Sequence, residues 1–289
     1  MKPPVPDLMG REVYITGAAS GIGRALAVQA AAQGARVHLT DVQAPALDEV
    51  AAQITARGQQ VGLVRALDIS DHDAVASMAR DLTDQYGAMQ VLANVAGIAS
   101  WGTVQAMTHE EWKRLIDINL LGPISVLEEL VPPMIEAGLG GQVVNVSSAA
   151  GIIGMPWHAG YSASKFGLRG VSEVLRFDLA PHRIGVSLVC PGAVSTPLTQ
   201  TVNIAGVDKS SPAFQKAQKR FRSHGVSPEQ AAEAIIEGIR RNKYWVYTSG
   251  DIRAIHAVQR FFPPGYRLAM TAFNRVANRM LPDVQKARR

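Results

Sequence analysis

Residues 147–165, SSAAGIIGMPWHAGYSASK, decide how this chain is interpreted. Within them, Tyr161 and Lys165 are four residues apart, so on a helix both side chains project from the same face. Ser148 follows the apolar run 143–146, which predicts a buried strand. Because ligands bind beyond the carboxyl ends of the strands in open α/β sheets, we expect the serine and the tyrosine to meet there.

These residue types suit proton transfer to or from an alcohol or carbonyl oxygen. A free phenol has a pKa of about 10, too high for an efficient base at neutral pH. A nearby ammonium stabilises the phenolate, so we expect Lys165 to lower the pKa of Tyr161. The Ser148 hydroxyl would then hydrogen-bond the substrate oxygen. Taken alone, a Tyr-x-x-x-Lys pair is better explained by a core tyrosine and a surface lysine, so the upstream sequence has to decide.

A glycine-rich turn lies upstream, between a predicted strand at 12–16 and a helical run that starts at Arg24. Glycines let the backbone turn tightly and approach a pyrophosphate, and the helix start offers free N–H groups to the phosphates. The strand-to-helix context strengthens this interpretation, although the spacing differs from the commoner Gly-x-Gly-x-x-Gly. The predicted cofactor contacts in this turn are Gly17, Ser20, Gly21, Ile22 and Gly23.

Asp41 ends the second predicted strand, 36–41, roughly 20 residues after the glycines. A carboxylate at this point hydrogen-bonds the ribose 2′-hydroxyl and repels a 2′-phosphate, so NAD is favoured over NADP. The alternative role is the N-cap of a helix that begins near Pro45, and the two roles can coexist.

Two further strand ends extend the predicted cofactor site. The third strand, 61–67, leads to Asp68 and Ile69, and we expect Asp68 to touch the adenine. Ser70 or Asp71 would cap the next helix. The fourth strand, 89–93, leads into the small residues of 94–97, which would let the cofactor pass over the strand ends. For Val95 and Ala96, a plain strand-to-loop turn is an equal alternative. The expected contacts there are Asn94, Ala96 and Gly97.

Asn119 lies beside the apolar stripe of a long helix that Thr108 is expected to cap. Pro123, four residues later, has no N–H, so the carbonyl of Asn119 lacks its helical partner. A buried free carbonyl needs another donor, such as water. Asn119 is therefore predicted to be a polar break in a packed helix, with a simple proline kink as the alternative.

The remaining pattern continues the strand–helix alternation without a linker or repeat, which predicts one domain over residues 1–250. A helix at 159–181 and a strand at 184–189 precede a long polar loop at about 198–226, which is typical of a substrate lid. A helix from Pro228 and a strand at 244–248 follow. Residues 251–289 form a basic extension in which 265–281 predicts an amphipathic helix with Ala269, Phe273, Val276, Ala277 and Met280 on its apolar face.

Composition excludes several classes of protein. The 289 residues are 47% hydrophobic, which is ample for a core, but contain no apolar run long enough for a transmembrane helix and no signal-peptide pattern. Cys190 is the only cysteine and the histidines lack ligand spacing, so neither a disulfide nor a metal site is expected. The net charge of +5 divides into −5 over residues 1–206 and +10 over 207–289, and no nucleic-acid motif accompanies it. We expect a cytoplasmic protein.

Together these motifs resemble those of the short-chain dehydrogenase/reductase family over about residues 8–250. Each motif is modest, but their order and spacing are together specific. The family often has asparagine where this chain has Val95, and we expect only a local change there. The matching elements are TGAASGIG at 16–23, Asp68, NVAG at 94–97, Asn119, Ser148, YSASK at 161–165 and PGAVSTP at 191–197.

The resemblance implies an α/β, Rossmann-type doubly wound sheet of about seven parallel strands with helices on both faces. It implies hydride transfer between a nicotinamide and a carbinol or carbonyl carbon. Tyr161 would be the general acid/base, Lys165 would also bind the nicotinamide ribose, and Ser148 would orient the substrate. The main-chain carbonyl of Asn119 would hold a water that joins Lys165 to a proton relay, and Asn94 would stabilise the sheet.

The resemblance also implies cofactor contacts after the sixth strand and a homodimer or homotetramer. The implied contacts are Pro191, Gly192, Val194 and Thr196, of which Val194 and Thr196 would meet the carboxamide.

An apolar set of residues near the predicted site indicates a bulky lipophilic secondary alcohol or ketone as substrate. The set comprises Ala99, Trp101, Ile153, Met155, Pro156 and Trp157. A non-catalytic NAD-binding scaffold and an NADP-dependent reductase remain alternatives; the intact catalytic set argues against the first and Asp41 against the second. For the extension we favour packing on its own or a partner subunit, with peripheral membrane contact as the alternative.

Overall fold

A computed structural model describes residues 5–198, 202–205, 215 and 225–280 of the chain. Its central feature is one parallel sheet of seven strands in the order β3-β2-β1-β4-β6-β7-β9. The strand numbering includes a short separate pair, β5 and β8. The strands are β1 (Glu12–Thr16), β2 (Arg36–Asp41), β3 (Val61–Ala66), β4 (Val91–Asn94), β5 (Ser100–Trp101), β6 (Gly141–Val146), β7 (Ile184–Cys190), β8 (Asn203–Ile204) and β9 (Trp245–Tyr247).

Nine α-helices occur in the described residues, and most of them connect the parallel strands. They are α1 (Gly21–Ala32), α2 (Ala44–Thr55), α3 (His72–Tyr86), α4 (His109–Ile116), α5 (Gly122–Ala137), α6 (Ala159–Asp178), α7 (Pro228–Arg240), α8 (Gly250–Phe261) and α9 (Pro263–Met280). No helix in this part of the chain is both long and apolar enough to cross a membrane.

Side chains alternate between two apolar layers along each strand, because successive residues of a strand point to opposite faces. On β1, Val13 and Ile15 join the layer under α1, α2 and α7, whereas Tyr14 joins the layer under α3, α5 and α6. On β4, Ala93 and Leu92 divide in the same way. The predicted doubly wound α/β sheet is confirmed, and its strand order reverses between β1 and β4, where a crevice opens at the carboxyl edge.

The predicted boundaries mostly hold within two residues, with local corrections. Asp71 rather than Ser70 caps α3, by accepting a hydrogen bond from Ala74 N at 3.0 Å. Asp41 does not cap α2, whose N-cap is Gln43. The predicted helix 159–181 ends at Asp178 and is followed by a separate 3₁₀ turn at 180–182.

The helix with Asn119 is interrupted at the predicted position. Thr108 and Glu111 form a capping box at the start of α4. Residues 117–121 then form a π-helical turn between α4 and α5. A π turn inside a helix displaces the backbone register and is frequent at functional sites.

A second, two-stranded sheet pairs β5 with β8 in parallel, so Ser100 lies beside Asn203 and Trp101 beside Ile204. The sequence did not predict this pair, because two-residue strands carry no periodic signal. It fastens part of the predicted lid to the segment after β4. The rest of the predicted lid, apart from residues 198, 202, 205, 215, 225 and 226, lies outside the described residues.

The C-terminal extension begins with two helices, α8 and α9, where we predicted one over 265–281. The predicted apolar face of α9 is largely exposed: Phe273 and Val276 are 49% and 53% exposed, whereas Ala277 is buried. Asn278, predicted on the polar face, accepts a hydrogen bond from Trp157. Hydrophobic periodicity located the helix, but it does not determine which side meets the rest of the protein.

Candidate active site

Ser148, Tyr161 and Lys165 converge at the carboxyl end of β6. Ser148 lies two residues beyond the end of the strand, and Tyr161 and Lys165 lie on the first turns of α6. The Tyr161 phenol is hydrogen-bonded to the Ser148 side chain. Tyr161 and Lys165 are only 8% and 4% exposed, whereas Ser148 is half-buried, so the phenol and the ammonium are largely excluded from water.

The expected lowering of the Tyr161 pKa is not found. Burial raises the pKa of the Tyr161 phenol, and the hydrogen bond from Ser148 offsets this in part. Burial disfavours the phenolate because the charged form loses its hydration. The prediction considered only the charge of Lys165 and neglected the cost of burying the phenol beside it.

The Lys165 ammonium is held by the strand in front of it. Its Nζ donates a hydrogen bond to the Val146 carbonyl, at 2.9 Å. Burial lowers the pKa of Lys165 to about 8. At pH 7 the side chain is therefore still mainly the charged ammonium, now fixed in one position.

The Asn119 side chain performs a role that the sequence did not predict. Its Oδ1 accepts a hydrogen bond from Ile98 N at 2.8 Å, and its Nδ2 donates to Ile98 O at 2.9 Å and to Ser164 Oγ at 3.2 Å. A Cβ on Gly97 would lie 3.0 Å from Asn119 Oδ1 and 3.4 Å from Lys165 Nζ. The π turn thus brings Asn119 into a fully buried position between the loop after β4 and α6.

The glycine turn is shaped for close backbone approach. Gly17 and Gly21 have φ of +69° and +52°, in the left-handed region that favours glycine. A Cβ on Gly23 would lie 2.1 Å from Gly17 O, so α1 packs directly on the turn. Ser20 makes no side-chain cap, and the first turn of α1 has no acidic residue. Its N–H groups therefore remain available to an anion such as a diphosphate.

Asp41 is joined to this turn by its carboxylate. One oxygen accepts a hydrogen bond from Ala19 N and the other from Gln43 N, each at 3.0 Å. A carboxylate offers about four lone-pair sites, so both oxygens retain acceptor capacity for ribose hydroxyls. The glycine turn, the open helix start and this acidic group together fit a nicotinamide dinucleotide.

Thr16 and Asn145 are two polar residues whose contacts the sequence analysis missed, and they fasten the ends of β1, β4 and β6 to one another. Thr16 Oγ1 accepts hydrogen bonds from Val95 N and Ala96 N, each at 3.0 Å. Asn94 Nδ2 donates to Asn145 Oδ1 at 2.9 Å, which links β4 to β6. A polar residue inside an apolar strand, as at Asn145, was the available signal.

The segment after β7 lies across the glycine turn. Pro191 O accepts a hydrogen bond from Ala149 N at 2.8 Å, which joins this segment to the turn after Ser148. Thr196 is buried, and its Cγ2 would lie 3.0 Å from a Cβ on Gly21. Val194 is also buried, and a Cβ on Gly192 would lie 2.8 Å from Ile252.

The other predicted cofactor residues are Asp68 and Ile69, at the end of β3. Asp68 is exposed, and its Oδ1 accepts hydrogen bonds from the Ser70 N–H and hydroxyl. Ile69 is buried against α5, since a Cβ on Gly122 would lie 2.7 Å from its side chain. The adenine contact of Asp68 stays a prediction. Among the described residues, no three His, Cys, Asp or Glu side chains are grouped as metal ligands would be.

An apolar wall of side chains lies beside Tyr161, and it includes Trp101 and Met155, two of the residues predicted to line the substrate site. Trp157, also predicted to line the site, donates a hydrogen bond from its Nε1 to Asn278 Oδ1 at 3.0 Å, which joins it to the tail. Ile153 is 2% exposed and packs in the cluster of Leu188 and Cys190, not in the cluster beside Tyr161.

His158 is a buried neighbour of Tyr161 that the sequence analysis did not single out. Its ring lies 4.5 Å from that of Trp101 and 6.4 Å from that of Tyr161. Its Nδ1 is 2.6 Å from the Pro156 carbonyl, so Nδ1 carries the proton. Burial lowers the pKa of His158 to about 4, and the imidazole is neutral at pH 7.

Comparison with known proteins identifies the family. The model of the short chain dehydrogenase family matches residues 11–205. An uncharacterised NAD-dependent oxidoreductase of Mycobacterium tuberculosis is 34% identical over 250 residues, which cover 80% of this chain and 89% of that protein.

Solved structures agree. A short-chain dehydrogenase/reductase from Burkholderia phymatum in complex with NAD has a TM-score of 0.80 at 27% identity, covering 88% of this chain and 94% of that one. A metagenomic short-chain oxidoreductase in complex with NADP has a TM-score of 0.66 at 30% identity, covering 83% and 96%. The chain therefore belongs to the short chain dehydrogenase family and is an oxidoreductase with a nicotinamide-binding Rossmann-type fold.

Proposed function

We propose that this protein is an NAD-dependent dehydrogenase that interconverts a bulky, lipophilic secondary alcohol and its ketone. The observation that carries the proposal is the cluster of the half-buried Ser148 with the buried Tyr161 and Lys165. The loop after β4 lies against both Lys165 and the glycine turn. This cluster supplies a proton donor and acceptor where the carboxyl edge of the sheet favours a dinucleotide. A scaffold that only bound NAD would not need it.

Tyr161 exchanges the proton in this mechanism. In alcohol oxidation its phenolate oxygen accepts the hydroxyl proton, and in ketone reduction its phenol returns that proton to the carbonyl oxygen. When bound between the glycine turn and this cluster, NAD would supply the hydride acceptor for the carbinol carbon. The hydrogen bond of Ser148 favours the phenolate. The Ser148 hydroxyl is also the group that we propose to orient the substrate oxygen.

Lys165 and Asn119 hold the proton path in place. The ammonium of Lys165 stabilises negative charge as it develops on Tyr161, since both groups are buried and little water screens them. The Asn119 side chain fixes Ile98 and Ser164 on either side of the site. Its main-chain carbonyl lies in the π turn, four residues before Pro123, and is proposed to hold a relay water.

The preference for NAD rests on Asp41. This carboxylate lies at the end of β2 and is bonded to the glycine turn through Ala19 N. A 2′-phosphate there would meet a fixed negative charge, whereas a 2′-hydroxyl gains an acceptor. The NAD-dependent relative and the NAD complex favour the same choice, although a similar structure holds NADP.

The preference for a lipophilic substrate rests on the wall beside Tyr161. Trp101 and Met155 pack there with Met107 and Ala205, and the neighbouring His158 is neutral. Such a wall buries apolar surface and offers a polyol few hydrogen-bonding partners.

The test is a panel of secondary alcohols followed by the absorbance of the reduced nicotinamide, with NAD and NADP in parallel. We expect a higher kcat/KM with NAD than with NADP, and a higher value for bulky apolar alcohols than for small polyols. Preference for small polar polyols would overturn the substrate class. Binding of NAD without turnover of any alcohol or ketone would leave the scaffold as the better account.

A further inference from the structure

One face of α9 is apolar and uncovered. Leu268, Ala272 and Val276 recur at intervals of four residues, which aligns them on one side of the helix. Leu268 and Val276 are 73% and 53% exposed. Phe273, 49% exposed, lies beside this stripe. A single exposed apolar residue needs no explanation, but a contiguous stripe marks an interaction site.

The opposite face of α9 is already occupied, so the helix is held with its apolar stripe outward. Tyr266 OH donates a hydrogen bond to Gly154 O at 2.6 Å, and Trp157 Nε1 donates to Asn278 Oδ1 at 3.0 Å. Ala277 is buried on the same side. These contacts fix the rotation of the helix about its axis.

The uncovered region continues onto the end of α8. There Val258, Phe261 and Phe262 are 41%, 78% and 61% exposed. We call these three residues, together with Leu268, Ala272, Phe273 and Val276, the tail surface.

The charge around the tail surface is mainly positive. Residues 250–280 contain five arginines and a single acidic residue, Asp251. Arg275 and Arg279 lie three residues after Ala272 and Val276, at the border of the stripe. Long arginine side chains can lie along apolar surface while the guanidinium stays with water or with an anion.

We propose that the tail surface docks on an anionic phospholipid surface. Apolar residues on one side of a helix, bordered by arginines and held parallel to the protein surface, are the features of an interfacial helix. A second copy of this chain would complement them less well, because a two-fold contact places the same arginines of both copies together. Anionic headgroups complement that charge, and the aromatic and aliphatic side chains enter the acyl boundary.

The position of α9 gives this docking a use. Its inner face is bonded to residues 154 and 157, in the segment that joins the Ser148 turn to the catalytic helix. A helix with its side chains is about 10–12 Å across. A lipid surface on the outer face would therefore lie about one helix diameter from this segment. This use rests on the proposed lipophilic substrate, whereas the docking itself does not.

The experiment is flotation of the full chain with vesicles of phosphatidylcholine, alone or mixed with phosphatidylglycerol, at low and high salt. The test variants are Leu268→Ser with Val276→Ser, and Arg275→Gln with Arg279→Gln. The matched control is Val104→Ser with Leu139→Ser, because Val104 and Leu139 are 72% and 61% exposed elsewhere on the molecule. Light scattering without vesicles and turnover of a water-soluble secondary alcohol are measured on each preparation.

We expect the wild type and the control to float with the anionic vesicles and to release at high salt. Each test variant should bind about tenfold more weakly or worse, with unchanged turnover. Equal flotation of the wild type and both test variants would overturn the proposal. Absence of wild-type flotation would also overturn it. If, in that case, the serine variant dissociates an oligomer, the tail surface is a subunit interface. Absence of turnover with intact flotation would fault only the proposed enzymatic function.

Discussion

The cofactor side and the substrate side of this site are built in different ways. On the cofactor side, each group lies at the end of a strand or directly after it: Gly17 after β1, Asp41 at the end of β2 and Asn94 at the end of β4. On the substrate side, the wall is assembled from remote pieces, as when Trp101 pairs with Ile204 and Trp157 bonds to Asn278. The difference shows that strand pairing in a parallel sheet places the strand ends side by side, whereas loops are positioned by individual contacts.

The largest effect on NAD binding should come from closing the space at the glycine turn on the cofactor side. In Gly23→Ala the added Cβ would lie 2.1 Å from the Gly17 carbonyl oxygen, and neither backbone can yield without moving the turn. We expect NAD affinity to fall by about 100-fold or more, as measured by calorimetric titration, because diphosphate binding depends on that backbone.

Gly170→Ala is the matched control, since a Cβ on Gly170 meets nothing within 4 Å. That helical replacement should leave NAD affinity unchanged and raise the free energy of unfolding by about 0.5–1 kcal/mol. Unchanged NAD affinity in Gly23→Ala would mean that the turn does not hold the cofactor.

On the substrate side, His158 should make stability depend on pH. The folded pKa is about 4, below the ordinary value of 6.5, so the unfolded chain binds the extra proton first as the pH falls. The free energy of unfolding should decrease between pH 6.5 and 4, by up to about 3 kcal/mol at 1.36 kcal/mol per pKa unit. Urea unfolding of the wild type and of His158→Gln across this range measures the difference, and parallel pH profiles would contradict the prediction.

Asp41→Ala should change the choice of cofactor. Loss of the carboxylate removes an acceptor for the ribose hydroxyl, and charged hydrogen bonds contribute about 1.5–3 kcal/mol. We expect kcat/KM for NAD to fall about 10- to 100-fold while that for NADP rises relative to it. Asp48→Ala removes a nearby exposed charge from α2 and should change neither value. An unaltered NAD-to-NADP ratio in Asp41→Ala would leave cofactor choice without its proposed determinant.

The smallest effect is expected from loosening the link between the tail and the wall. Asn278→Ala removes the acceptor of Trp157 Nε1, a hydrogen bond that contributes about 1 kcal/mol. KM for the alcohol should rise about fivefold with kcat retained, because Trp157 is on the substrate side and away from the proton path. Thr271→Ala on the exposed side of the same helix is the control. A fall in kcat with constant KM would show that the tail acts on the chemistry itself.

The sequence predicted the fold and the convergence of Ser148, Tyr161 and Lys165 because both depend on short-range patterns. Apolar strand runs, the glycine turn and the Tyr161–Lys165 spacing are each readable within a few residues. The hydrogen bonding of Asn119 to Ile98 and the pairing of β5 with β8 could not be predicted from the sequence, because they join segments with no shared periodicity. The direction of the Tyr161 pKa shift was predicted wrongly, because the shift depends on burial and burial is determined by the whole fold.

The central claim is that the Tyr161 phenol exchanges the substrate proton, and Tyr161→Phe tests it most directly. Phenylalanine fills the same buried space without the hydroxyl, and Tyr86→Phe on α3 is the control. Turnover at saturating NAD should fall by about 10²- to 10⁴-fold while the dissociation constant for NAD stays the same. Turnover that stays near the wild-type rate in Tyr161→Phe would contradict the account.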